Sequence, residues 1–152
     1  MLGTLILWLG WLCFNGGSTV LIGENGEKLF LVSERAIINS ILAPSIGGLF
    51  TLFTKRLITR EKASNRLDFQ ALTNGILAGL VCVTGSCDCI ETWASLLIGI
   101  IGSVTYSLAC IFGEYFKLDD PLEAFQVHGF CGFMGVMMVS VFKKDRGIIY
   151  TT

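Results

Sequence analysis

Residues 92–113 read TWASLLIGIIGSVTYSLACIFG, a stretch without a single charged side chain. A helix needs about 20 apolar residues to cross roughly 30 Å of hydrocarbon. A core helix of a soluble protein would show a regular polar stripe, which this stretch lacks. The stretch therefore predicts a transmembrane helix. It decides the fold class because other uncharged runs of similar length occur along the chain.

Four further uncharged runs have a similar length, at 1–23, 36–54, 69–87 and 124–142. Only 15% of the residues are charged, against about 25% in an average soluble domain. We predict an all-α integral membrane protein in which 1–152 form a single membrane domain. Its five transmembrane helices are expected at about 2–22, 36–54, 69–87, 92–113 and 121–142. The first run could also be a signal peptide, but the apolar part of a signal is shorter, about 7–15 residues.

The composition argues against several function classes. A net charge of -1 disfavours binding to nucleic acid. No Ser/His/Asp or Cys/His arrangement and no phosphate-binding glycine loop is apparent, so we predict no enzyme and no cofactor. Cys87 and Cys89 flank Asp88 at the end of a run, and two thiolates with one acid cannot close a zinc site alone. We therefore predict no metal site.

The connection 55–68, KRLITREKASNRLD, holds five basic residues and two acids. Basic loops stay on the cytoplasmic side, or on the matrix side in a mitochondrion. This orientation places Met1 and the connection 114–123 on the same side. The segment EKLFLVSER, 27–35, predicts a short interfacial segment or an external strand.

Small residues recur at spacings that suit helix packing in lipid, where they let backbones approach closely. Pairs and triplets of this kind are Gly75 and Gly79, Gly99 and Gly102, and Gly129, Gly132 and Gly135. Pro44 lies inside the second run and is expected to kink that helix.

His128 is the single histidine of the chain, and it lies in DDPLEAFQVHGFCG, 119–132. Asp119, Asp120 and Pro121 predict a helix start, because carboxylates accept free N–H groups and proline suits the first turn. His128 then lies roughly 10 Å further on, inside the membrane. A neutral imidazole at that depth needs polar partners, so it faces a bundle interior or a wet cavity. It is either functional or a structural residue that bonds across helices.

Phe14 and Ser18 lie four residues apart and share a helix face. A ring beside a hydroxyl is a candidate site for a small cation, through cation–π attraction and a hydrogen-bond acceptor. The alternative is an aromatic residue at the membrane interface near a helix end.

Three stretches resemble consecutive parts of the ammonium transporter family (Amt/Mep, related to Rhesus proteins). They are GTLILWLGWLCFNGGS, NGILAGLVCVTGSCDCIETWASLLIGIIGSVTY and DDPLEAFQVHGFCGFMGV, and the similarity runs from about residue 3 to 142 in the family's order. The resemblance implies that His128 is one of two histidines that line a hydrophobic conduction path. It implies that Phe14 is one ring of the outer gate and that Ser18 contributes to the external ammonium site. The family usually has Asp where this chain has Glu123.

The resemblance covers only the second of two five-helix halves of inverted topology, so the first half and its partner histidine are missing. Two interpretations follow. The chain is a half-transporter for ammonium or ammonia that needs a partner chain. Alternatively, it is a transport-inactive, degenerate subunit with a structural role in a larger membrane complex; the start at Met1 favours this second expectation.

In both cases we expect no conduction by the chain alone. The expected partners are membrane lipid, other membrane subunits and, if transport-competent, ammonium or ammonia. The resemblance implies the plasma membrane, with an organellar membrane such as the mitochondrial inner membrane as the alternative.

Overall fold

The computed structural model describes residues 1–19, 26–58 and 68–151. Within these ranges the regular structure is entirely helical, as predicted. The elements in chain order are α1 (Leu2–Ser18), α2 (Gly26–Ile58), α3 (Phe69–Thr84), α4 (Thr92–Tyr115), a π-helical turn (Gln126–Phe130) and α5 (Cys131–Phe142). The predicted end of the first span at 20–22 and most of the basic connection, 59–67, lie outside the described residues.

Two of the described helices are long and apolar enough to cross a membrane by length and composition. They are Phe30–Lys55, with 26 residues, and Thr92–Tyr115, with 24 residues. The other three apolar helices, Leu2–Ser18, Phe69–Thr84 and Gln126–Phe142, have between 10 and 17 residues. The helical class is thus confirmed, whereas the predicted count of five full-length spans is met by two helices.

α2 differs most from its predicted span of 36–54. It begins at Gly26 and includes the whole of EKLFLVSER, so the prediction of an external strand is wrong, whereas the interfacial segment stays a prediction. Leu, Glu, Lys and Arg are good helix formers, and no proline interrupts the segment. Helix propensity, together with a contact to α1 in which Ser33 Oγ donates to the carbonyl oxygen of Gly16 at 2.9 Å, therefore continues the helix beyond the apolar run.

The helix that carries His128 also starts later than predicted. Pro121 lies in a turn, and helical structure begins at Ala124. Asp120 still acts as a cap, because its Oδ2 accepts the backbone N–H of Phe125 at 2.7 Å. Glu123 has a φ of 56°, a left-handed conformation that cannot continue a helix. This backbone geometry separates Pro121 from the helix.

α2, α3 and α4 cross at a cluster of glycines. A Cβ at Gly47 would lie 2.8 Å from the carbonyl oxygen of Gly75 and 3.4 Å from that of Gly99. A Cβ at Gly79 would lie 2.7 Å from the carbonyl oxygen of Ala43. The backbones approach so closely that only glycine fits, which confirms the packing role predicted for Gly75, Gly79 and Gly99.

The glycines that follow His128 do not all mediate helix packing. A Cβ at Gly135 would lie 2.6 Å from the carbonyl oxygen of Cys82 in α3, so this glycine does mediate helix packing. Gly129 does not, because a Cβ there would meet the ring of Phe125 within the same helix at 2.9 Å. The prediction for Gly129 is therefore wrong.

α3 lies at the centre of the bundle. It contacts α2 and α4, which also contact each other, and it contacts α1 on one flank and the π-helical turn and α5 on the other. Among the described residues, α1 makes no contact with the π-helical turn or with α5. The fold therefore leaves a groove, with α3 as its floor and α1 and α5 as its two sides.

Candidate functional site

The floor of the groove is a stripe of half-buried residues on α3. Leu77, Val81 and Thr84 lie three or four residues apart and so share one helix face. Thr84 accepts a hydrogen bond from Trp11 Nε1 of α1 at 2.7 Å. Val81 Cγ1 lies 3.7 Å from the position that a Cβ on Gly132 of α5 would take. The same stripe is therefore touched from both sides.

His128 lies on the α5 side of this groove, and its side chain is exposed in the chain. Its neighbours Gln126 and Val127 are buried. Gly132 and Gly135 follow His128 at helical spacing and contact α3, whereas Phe130, on another face, packs on Phe112 of α4. Because Gly132 lies four residues after His128, we infer that His128 lies on the flank of its helix that borders the α3 stripe.

No other side chain within the described ranges holds the imidazole in place. His128 has no hydrogen bond or ion pair there, although a buried neutral imidazole would need both a donor and an acceptor. The prediction of an inward-facing residue is thus met only in part. His128 is exposed, and the described residues supply no wall opposite the ring.

Phe14 and Ser18 lie on the α1 side of the groove. Both belong to the face of α1 that carries Trp11, which reaches α3. Phe14 is 61% exposed. On the adjoining face Asn15 is buried against α2, and its Nδ2 donates to Ser40 Oγ at 2.7 Å. The contact of Asn15 with α2 fixes the rotation of α1 that leaves the Phe14 ring open.

The hydroxyl of Ser18 donates to the carbonyl oxygen of Phe14 at 2.6 Å. Its hydrogen is therefore used within α1, and the oxygen retains lone pairs that can accept from an N–H donor. The exposed ring of Phe14 and this acceptor, four residues apart on one helix face, stay a candidate site for a small nitrogen cation. The structure places Phe14 and Ser18 together, and it places His128 on the other side of the groove.

A cavity of about 330 Å³ lies at the opposite end of the groove from Ser18. It lies between the start of α1, the first turns of α3 and the turn before the helix of His128. Its lining residues are Met1, Phe69, Gln70, Thr73, Asn74, Pro121 and Leu122. The candidate cation site and this cavity thus mark the two ends of one groove.

A polar cluster that the sequence analysis did not identify lies behind this cavity. Glu123 Oε2 accepts hydrogen bonds from Tyr106 OH and from Asn74 Nδ2, the latter at 2.7 Å. Its Oε1 lies 3.7 Å from Lys55 Nζ, which also pairs with Asp68 at 3.5 Å. We call these five residues the Glu123 cluster. A signal was present, since Glu123 is the last charge before the uncharged run that holds His128.

Asp68 of this cluster caps the start of α3. Its Oδ1 accepts the N–H groups of Gln70 at 3.0 Å and Ala71 at 3.1 Å. Partial burial is the largest single influence on the Asp68 pKa and raises it. The Ala71 N–H, the Lys55 charge and the Gln70 N–H together outweigh burial, so the pKa lies below its usual 3.8. Asp68 is thus an ionised cap next to a lysine.

Comparisons with known proteins match nearly the whole chain to a single family. Residues 1–151 match the sequence model of the Ammonium Transporter Family. "Ammonium transporter 1 member 3" of Solanum lycopersicum is 35% identical over 98% of this chain, which covers 32% of that protein. "Ammonium transporter 1 member 1" of Arabidopsis thaliana is 34% identical over 96% of this chain and 29% of its own length.

Solved structures agree with these relatives. The Saccharomyces cerevisiae Mep2 structure superposes with a TM-score of 0.84 at 26% identity, over 99% of this chain and 34% of that one. A structure described as "Sensor Amt Protein" has a TM-score of 0.80 at 32% identity, over 94% of this chain and 33% of its own. The chain thus spans about a third of the length of the proteins it matches.

Proposed function

Because the chain belongs to the Ammonium Transporter Family, a family of integral membrane proteins, we propose that it forms part of a membrane transporter for ammonium or ammonia. In this proposal the groove on α3 is one wall of the conduction path. The supporting observation is the exposure of His128, which faces an open groove between two helices that do not touch. Because an imidazole in a membrane faces protein or a wet cavity, we propose that further helices cover this ring.

The residues of the groove suggest how the path treats its substrate. A bare cation is costly to carry through hydrocarbon, while neutral ammonia crosses more easily. Phe14 and Ser18 would receive ammonium at one end, through the ring face and the hydroxyl oxygen. The nitrogen would then release its proton to solvent water at the exposed Phe14 and Ser18 end, and ammonia would pass His128 toward the cavity at the Met1 end.

The opposite wall is the second part of the proposal. We assign the chain to the second five-helix half of the fold, with all five helices in the membrane and the other half supplying the partner histidine. α1 offers a suitable surface, since nothing lies within 4 Å of a Cβ built on Gly3, Gly10 or Gly17. These glycines recur every seven residues and so follow one helix face, where lipid-embedded helices pack closely.

Membership of this family also supports our proposals on activity, location and partners. We propose transport and not enzymatic catalysis for this chain. We place it in the plasma membrane, with the mitochondrial inner membrane as the alternative location. Membrane lipid and the subunit or segment that carries the missing half are its proposed partners.

One observation favours the second candidate function, a transport-inactive subunit with a structural role in a larger membrane complex. The 152 residues contain one histidine, and the groove is not enclosed by the described residues. A chain that kept only its packing surfaces would retain the glycine crossing of α2, α3 and α4 without conducting anything.

Flux in liposomes tests the proposal. The protein is purified with its native partners and reconstituted, and internal pH is followed after an ammonium pulse. We expect a rise in internal pH that is lost in His128→Ala and kept in Ser140→Ala, a control change at an exposed position of α5 twelve residues beyond His128. Absence of flux with every co-purifying partner contradicts the proposal. Native mass spectrometry that finds the chain in a larger assembly without the complementary helices supports the structural role.

A further inference from the structure

The carboxylate of Glu123 contacts side chains from α2, α3 and α4. Lys55 comes from α2, Asn74 from α3 and Tyr106 from α4, and all three contact Glu123. The side chain of Glu123 is only 19% exposed. Charge-assisted hydrogen bonds of this kind are shorter and about twice as strong as neutral ones. The carboxylate is therefore a fixed point with respect to the three central helices.

The backbone of Glu123 also has an unusual conformation. Its φ of 56° is uncommon for a residue with a side chain, and such conformations persist only where the surroundings impose them. The carbonyl oxygen of Glu123 accepts the N–H of Val127 at 3.1 Å. The helix that carries His128 is thus attached by its first turn to the residue whose side chain the bundle holds.

His128 follows five residues after Glu123, within the π-helical turn Gln126–Phe130. A π-helical turn inserts an extra residue and so changes the direction in which the next side chains point. Because the imidazole has no hydrogen bond of its own in the described part of the chain, its direction depends on how this turn begins. The beginning of the turn is held by Glu123.

We infer that Glu123 is a positioning residue that sets the direction in which His128 faces the groove. The inference rests on the proposed function for its meaning in transport, but the position of the ring can be measured independently of transport. Glu123 does not touch the candidate cation site at Phe14 and Ser18. It acts through the backbone of the turn.

The test compares two acids at opposite ends of the bundle. Glu123→Gln replaces an acceptor oxygen with an amide that faces donors, and it removes the charge of one of the two carboxylates that pair with Lys55. Glu91→Gln is the control, since Glu91 also holds a donor, Trp93 Nε1 at 2.8 Å, and a lysine, Lys144 at 3.8 Å. Tyr106→Phe removes one donor to Glu123 while keeping the ring, and Glu123→Asp restores the charge with a shorter reach.

The first readout is the nuclear magnetic resonance signal of the imidazole in lipid bilayers, with 15N-histidine confined to this chain. His128 supplies the single imidazole of these residues. We expect its signal to shift or broaden in Glu123→Gln, less in Tyr106→Phe, and to return toward the original in Glu123→Asp. It should stay unchanged in Glu91→Gln.

The second readout is ammonium flux in the reconstituted assembly. Misplacement of a functional group by about 1 Å can lower a rate by on the order of a hundredfold. We expect a fall in maximal flux of at least about tenfold in Glu123→Gln, with little change in the ammonium concentration for half-maximal flux. A merely structural defect would lower the amount of folded protein and leave the flux per folded molecule unchanged.

The two readouts separate the two hypotheses. An unchanged imidazole signal in folded Glu123→Gln overturns the inference, whatever the flux. If the unsubstituted assembly shows no flux, the proposed function fails, and the imidazole signal alone decides the inference. If Glu123→Gln does not fold, Tyr106→Phe is judged by the same criteria.

Discussion

The indole Nε1–H of Trp8 donates to the carbonyl oxygen of Ser40 at 2.9 Å. In an uninterrupted helix this carbonyl would accept from residue 44, but Pro44 has no N–H to give. Helix α2 therefore continues through Pro44 because α1 supplies the missing donor. The hydroxyl of Ser45, next to Pro44 in sequence, does not take this role. Ser45 Oγ instead donates to the carbonyl oxygen of Ile41, at 2.6 Å.

Trp8→Phe removes this donor and keeps an aromatic ring at the position. We expect the free energy of unfolding to fall by about 1–3 kcal/mol, because a buried carbonyl is left without a partner. In a Pro44→Ala background the N–H of residue 44 can serve Ser40, so the cost of Trp8→Phe should shrink. Denaturant titrations in micelles, followed by circular dichroism, measure all four proteins of this cycle. An equal cost in both backgrounds would show that the indole N–H is not the replacement donor.

Gly99→Ala tests the glycine crossing of α2, α3 and α4. Its Cβ would lie 2.3 Å from the carbonyl oxygen of Ala43 and 2.4 Å from Ile46 Cγ2. We expect destabilisation of about 1–3 kcal/mol or more, because a packed interface cannot absorb the added group. Gly10→Ala, with nothing within 4 Å, is the matched control and should be neutral or stabilising by up to about 1 kcal/mol. Thermal unfolding of both variants in the same detergent compares them, and a harmless Gly99→Ala would refute the close approach.

Gly10→Leu tests whether the open face of α1 is covered in the assembly. We expect the chain itself to fold normally, since the position is free within the described structure. The complex with its partner should weaken, because a large side chain keeps the helices apart. Leu9→Phe is the control, since Leu9 is 65% exposed and lies about 100° round the helix. Native mass spectrometry reports both complexes, and equal assembly of the two variants contradicts a partner on the glycine face.

Asp68 predicts a pH dependence of stability. Its pKa is lowered in the folded chain, so the ionised cap stabilises the fold above the unfolded pKa of about 3.9. This contribution is lost as pH falls through the lower folded pKa. We expect unfolding temperatures to decline below about pH 4 more steeply in the original chain than in Asp68→Asn. The Asn variant keeps a capping oxygen without the titratable charge. Parallel curves for the two proteins would exclude Asp68 as the source.

Much of the fold could be predicted from local features of the chain. Uncharged runs marked the helices, and the spacing of Gly75 and Gly79 marked a close helix crossing, because both signals lie within one segment. The extension of α2 to Gly26 could not be read from apolar length, since a helix propagates through charged residues where neighbours pack on it. The late start of the His128 helix depended on a single left-handed residue, Glu123.

The candidate site could be predicted only in part. Phe14, Ser18 and His128 were singled out from residue type and spacing, and they lie along one groove. The Glu123 cluster was missed because Lys55, Asn74 and Tyr106 are far apart in sequence and meet only when three helices pack. The resemblance to one half of a two-half fold led us to expect an uncovered face beside His128, and the described residues leave the groove open there.

Cross-linking at position 128 tests the central claim, that His128 faces a passage walled by protein. A photoreactive amino acid is placed there in the native membrane and illuminated, and the adducts are identified by mass spectrometry. We predict adducts to helices outside this chain, or to α1 across the groove. Adducts to lipid acyl chains alone would contradict the claim.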